Sequence, residues 1–124
     1  MDQTVILIKP GFPELEQEVL TNIQEHDYSY VRREVVFDRP LTARFYAGKE
    51  QYFQEVLYPY YDGQRVIVYI AWGHAVLDVF NVLKWRIRKE KGITEKPRDG
   101  IHASDSAVEA DRELRALFEG QPCT

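Results

Sequence analysis

The chain has 124 residues, 44% hydrophobic, 29% charged and 13% aromatic, which is one domain's length with enough apolar material for a core. Its longest apolar run, Val66 to Trp72, falls far short of the roughly 20 residues of a membrane span. No basic region leads an apolar signal core at Met1-Asp2-Gln3-Thr4, so a cytoplasmic protein with no membrane partner is expected. The single cysteine, Cys123, leaves no internal disulfide and no thiolate zinc site, and a net charge of −4 argues against a nucleic-acid partner.

Taken in chain order, Thr4 to Ile8 is a near-continuous β-branched apolar run, as is Arg65 to Ala71, and both predict central strands buried on two faces. Pro13 suits a first helical turn, and Leu15, Val19, Leu20 and Ile23 continue an amphipathic helix to His26. Ser29 to Phe37 sets Val31, Val35 and Phe37 against Arg32 and Glu34, the alternation of a strand nearer an edge. Leu41 to Tyr61 reads as an aromatic-rich helical stretch. Ala75 to Leu83 is a second apolar helix that runs on into basic residues at Lys84. Ser106 with Glu109 forms a capping box for a last helix carrying Val108, Leu114, Leu117 and Phe118. With a short fourth strand near Ile101, the order predicts an α+β, ferredoxin-like split βαβ sandwich. It would have a four-stranded antiparallel sheet and helices mainly on one face, residues 1–124 forming a single domain. A sheet face left bare by that arrangement would call for a homo-oligomer.

Charge is unevenly spread. From Lys84 to Arg98 seven basic residues stand against two acidic ones, a local +5 that leaves −9 for the remainder. Such a segment suits a small, highly charged anion, and it equally suits a solvated helix face. Of the three histidines, His26 falls at a helix end and His74 at a helix start, where capping or surface roles account for them. His102 lies in Gly100-Ile101-His102-Ala103-Ser104-Asp105-Ser106, between the basic segment and the capped helix. A neutral imidazole there can attack phosphorus with cations stabilising the transferred group, although a structural histidine near a helix start fits the spacing as well.

The stretch Ile101-His102-Ala103-Ser104-Asp105-Ser106, with Glu113 in the following helix, resembles the active-site signature of the nucleoside diphosphate kinases. Thr4-Val5-Ile6-Leu7-Ile8-Lys9-Pro10 resembles their first strand, Phe45-Tyr46 and Tyr52-Phe53 their aromatic pairs, and Gly63 to Ile70 their third strand. The resemblance spans nearly the whole chain. It implies ping-pong transfer of the γ-phosphate of ATP or another nucleoside triphosphate to a nucleoside diphosphate through a phosphohistidine on His102. Mg2+ would be carried by the nucleotide's phosphates, with no metal site of protein ligands alone.

The resemblance further implies that Lys9 and Tyr46 contact the transferred phosphate, and that Glu113, helped by Ser104, fixes the tautomer of His102. Tyr52 would stack on the base with Val56 along its edge, and Arg88 would clamp the phosphates. Family members are commonly hexamers or tetramers, which again implies an oligomer. Several positions depart from the family. Its long nucleotide-covering loop is missing, the earlier phosphate arginine falls near Asn81, and Arg86, Lys84 or Lys89 would have to substitute. Asp99 stands at the sugar-contacting asparagine, Lys96 at an aliphatic residue facing the base, and Gly11-Phe12-Pro13 replaces the usual turn. These departures leave a second reading, a catalytically silent nucleotide-binding or assembly module of the same fold. A third, a ferredoxin-like domain for another anion or RNA, is disfavoured by the net negative charge.

Overall fold

The computed structural model describes residues 2–48 and 52–119; Cys123 lies outside them. Four strands, β1 (Gln3–Ile8), β2 (Ser29–Phe37), β3 (Gln64–Trp72) and β4 (Ile101–Ala103), form one antiparallel sheet in the order β2-β3-β1-β4. The apolar runs are indeed its two central strands and the alternating one an edge. The predicted fold class and the fourth strand at Ile101 are both found.

The helices follow from local signals. A 3-10 turn at Pro13–Leu15 leads into α1 (Glu16–Glu25). Asp38 caps α2 (Arg39–Phe45) by accepting from the Leu41 amide at 2.8 Å. A π-helical turn at Phe53–Leu57 runs into the short α3 (Tyr58–Tyr61). The basic segment extends α4 (Val76–Lys91) without a break to Gly92, whose φ of +66° ends the helix in the left-handed region. At α5 (Ala107–Leu114), continued by a π turn at Arg115–Glu119, only half of the capping box forms. Ser106 Oγ accepts from the Glu109 amide at 3.2 Å, while the Glu109 carboxylate turns to Arg112.

Helices cover both faces of the sheet, where the sequence reading puts them mainly on one. Alternation along β1 sends Ile6 and Ile8 into a core with Leu15, Val19 and Ile23 of the first helical segment and Val76, Phe80, Leu83 and Ile87 of α4. It sends Val5 and Leu7 into a second core with Leu41, Phe45, Leu57, Tyr61 and Leu117. Phe45, Tyr46, Tyr52, Tyr58, Tyr60 and Tyr61 are what close this second face, each fully buried large side chain stabilising the fold by roughly 1.5–3 kcal/mol. The bare face that motivated an oligomer is therefore filled from within the chain. No helix among the described residues is long and apolar enough to cross a membrane.

At the entry to β4 the backbone comes close to two side chains of the first core, Leu15 and Ile93. Gly100 has φ +83°, and a Cβ there would come within 2.8 Å of Ile93 Cδ1 and of Leu15 Cδ1. A Gly100→Ala variant is expected to lose about 1–3 kcal/mol of stability in urea denaturation, through strain and overpacking together. An unchanged midpoint would contradict this packing.

Candidate active site

Short β4 pairs with the end of β1, so that His102 lies opposite Leu7 and two residues from the chain's bend at Lys9-Pro10. The Lys9 amide donates to Gly100 O at 2.9 Å, and the Tyr60 hydroxyl donates to Pro10 O at 2.5 Å. Beyond the strand, Ser104 fastens three elements at once. Its amide donates to Val5 O at 3.1 Å, and its hydroxyl accepts from the Val5 amide at 2.9 Å and donates to Glu113 Oε1 at 2.6 Å. Glu113, buried on α5, sets its other oxygen 2.7 Å from His102 Nε2. That nitrogen is itself enclosed, and the approach lies outside ideal hydrogen-bond angles. Phe45 meets the imidazole edge-on with ring centres 5.3 Å apart.

His102 opens onto a cleft of about 190 Å³ lined also by Lys9, Tyr46, Tyr52, Lys84, Trp85, Arg88, Lys96, Asp99 and Arg112. At its floor, Asp99 is 1% exposed and lies between two cations whose side chains are each 7% exposed. One of its oxygens accepts from Lys9 Nζ; the other stands 3.1 Å from Arg88 Nη2. Arg88 also donates to Asp99 O at 3.3 Å and to Ile101 O at 2.7 Å. Burial brings the Lys9 pKa down to about 8 against the upward pull of Asp99, and burial likewise lowers Arg88.

The sequence-predicted residues divide on this geometry. Lys9, Tyr46, Tyr52, Arg88, Asp99, His102 and Glu113 line the cleft, and Ser104 is packed behind Glu113. Two are not brought there. Arg86 points from the opposite side of α4, 52% exposed and 4.0 Å from Glu90, beside Gln17 and Asn22 of α1. Helical spacing explains this, since residues two apart on a helix do not share a face. Val56 lies in a separate depression with Pro59, Tyr60, Pro97 and Arg98.

The basic segment is also less free than its composition suggests. Lys84 is buried and donates to Ala103 O at 3.2 Å and Asp105 Oδ1 at 3.0 Å; burial works to raise the Asp105 pKa, but Lys84 outweighs it and holds the carboxyl low. Lys91 pairs with Glu18 at 3.7 Å, and Arg98 sits over Tyr60. Five cations line the cleft against four carboxylates among the described residues, a formal +1 with His102 neutral.

Trp85 and Arg112 line the cleft and escaped sequence reasoning. Trp85, 59% exposed, carries Arg88 4.9 Å from its ring centre; an exposed tryptophan within a basic run was the available signal. Arg112 donates to Phe45 O at 2.9 Å and to Glu109 at 2.8 Å. It thereby caps the end of α2 and ties it to α5, a pairing that only the tertiary fold reveals. The aromatic side is similarly braced. Tyr46 and Tyr61 share a hydrogen bond at 2.7 Å, burial raises the pKa of both, and the Tyr52 hydroxyl is enclosed with no hydrogen-bond partner among the described residues. Where the family's earlier arginine falls, Asn81 donates to Ser104 O at 2.9 Å and to Leu77 O at 3.0 Å.

Comparison with solved structures gives the architecture a name. The nucleoside diphosphate kinase of Encephalitozoon cuniculi matches with a TM-score of 0.81 over 100% of this chain and 95% of that one, at 19% identity. That of Aquifex aeolicus matches with 0.78 over 96% of each chain, at 20% identity. The chain has the nucleoside diphosphate kinase fold. A third member of this fold, from Borrelia burgdorferi and solved as a transition state mimic with vanadate and ADP, matches with 0.64 over 94% of this chain and 86% of that one, at 17% identity. No protein-family model and no curated protein matches the chain. Within the nucleoside diphosphate kinase fold, this chain places an unbroken α4 and Trp85 beside the cleft that holds His102.

The lowered pKa of Lys9 carries a stability signature. Between about pH 8 and its ordinary 10.5, the unfolded chain keeps the Lys9 proton while the native state releases it. Stability therefore gains with pH in that window. Relative to a Lys9→Met variant, the wild-type protein is expected to gain stability from about pH 8 to pH 10 in urea denaturation. Parallel curves would mean that Lys9 titrates normally.

Proposed function

We propose that this protein is a nucleoside diphosphate kinase that transfers the γ-phosphate of ATP or another nucleoside triphosphate to a nucleoside diphosphate through a phosphohistidine on His102. The observation that carries the reading is the pairing of His102 Nε2 with the buried, Ser104-braced Glu113 at the edge of a cleft floored by Lys9 and Arg88. With Nε2 engaged, Nδ1 is the nitrogen left to attack. Its lone pair forms the N–P bond as the bond from the γ-phosphorus to the β,γ-bridging oxygen breaks, and the diphosphate departs with those electrons. An oxygen of the second diphosphate then takes the phosphoryl group and returns the electron pair to Nδ1. The Nε2 proton stays in place, and Glu113 stabilises the charge that develops on the ring.

Lys9 and Arg88 offer charge to the equatorial oxygens, and Tyr46 a hydroxyl beside them. Tyr52 and the exposed face of Trp85 supply stacking surface, which accepts any base because every base has a π-face. Mg2+ would come with the nucleotide, held mainly by its phosphate oxygens, and would neutralise charge on them during transfer. The vanadate and ADP of the Borrelia protein are the ligands such a reaction calls for, and they lend this reading support from the same fold.

Incubation with γ-labelled ATP and Mg2+ is expected to label the wild-type protein and not His102→Ala, and any nucleoside diphosphate should remove the label. A Glu113→Gln variant should transfer roughly ten- to a hundredfold more slowly, because it removes the charge that faces Nε2 while keeping the side chain's shape. Equal labelling of wild type and His102→Ala would leave a nucleotide-binding module without turnover.

A further inference from the structure

We infer that Asp99 is a specificity-determining residue: its carboxylate is a built-in anion that already occupies Lys9 and Arg88, so the site limits its own affinity for phosphate chains. The inference rests on reading the cleft as a phosphate site. Asp99 is 1% exposed and commits one oxygen to each cation. The three groups together carry a formal +1, where Lys9 and Arg88 alone would carry +2.

A phosphate arriving over these cations meets their attraction and the repulsion of Asp99 at similar range, inside a site where water screens little. The neighbouring cations that are already paired do not restore the difference. Lys84 is held by Asp105, and Arg112 is held by Glu109. Lys96, which lines the same cleft, forms no ion pair among the described residues and adds its charge from the exposed rim. Selectivity follows from this balance. The repulsion grows with ligand charge, so it weighs more on a diphosphate than on a monophosphate and does not touch an uncharged nucleoside. A site of this kind is tuned to release its nucleotides readily, and it relies on base and sugar contacts for more of its binding.

Calorimetry with inorganic pyrophosphate, ADP and adenosine tests the inference without needing turnover. Asp99→Asn keeps the shape and removes the charge; it is expected to bind pyrophosphate and ADP about tenfold more tightly or better, with adenosine gaining far less, the range set by a hydrogen bond to a charged group. Weaker or unchanged pyrophosphate binding by a folded Asp99→Asn would overturn the inference and make Asp99 a brace for its two cations. Should that variant not fold, the double variant Lys9→Met/Asp99→Asn replaces an ion pair by neutral groups and keeps the floor at +1. It is expected to bind pyrophosphate within a few-fold of wild type, and a tenfold loss would overturn the inference. The kinase reading fails separately, on the absence of phosphohistidine, whichever way these affinities move.

Discussion

Glu113 is a buried carboxylate, and the way it is satisfied decides the shape of everything around it. Its two oxygens go to Ser104 and His102, and the Ser104 hydroxyl in turn accepts the Val5 amide from the neighbouring strand. One side chain of α5 thus joins β1, β4 and the loop between β4 and α5. An uncompensated charge in that position would cost several kcal/mol. The sheet edge, the helix and the imidazole are consequently locked into one register, which is the pre-organisation that a reacting histidine requires.

A second buried carboxylate works in the other direction. Asp99 gathers Lys9 from the end of β1 and Arg88 from α4 and so closes the floor of the cleft. The same bond that holds the cations in place consumes part of their attraction for a ligand. The cleft is bordered by the continuous α4 with Trp85 on its surface. The protein combines a firmly positioned histidine with a nearly neutral, open approach to it.

Much of this was legible in the residues. The apolar runs Thr4 to Ile8 and Arg65 to Ala71 named the central strands because burial on both faces removes alternation, and Ser106 marked the start of the last helix. The distribution of helices over both faces was not legible. The aromatic stretch from Leu41 to Tyr61 has no single periodicity, and its role depends on which sheet face it meets. In the site, the linear signature located His102, Ser104 and Glu113, but linear charge could not tell Arg86 from Arg88, which helical geometry sends to opposite sides. The pairing of Asp99 with Lys9 joins residues 90 positions apart, and only tertiary structure brings them together.

The most direct test of the account is which imidazole nitrogen carries the phosphoryl group, because Glu113 is held to reserve Nε2 and leave Nδ1 free. Phosphorus NMR of the protein after brief exposure to ATP and Mg2+ distinguishes the two phosphoramidates. The account predicts an Nδ1-linked phosphohistidine that is absent from His102→Ala. An Nε2-linked species, or no phosphohistidine at all, would contradict it.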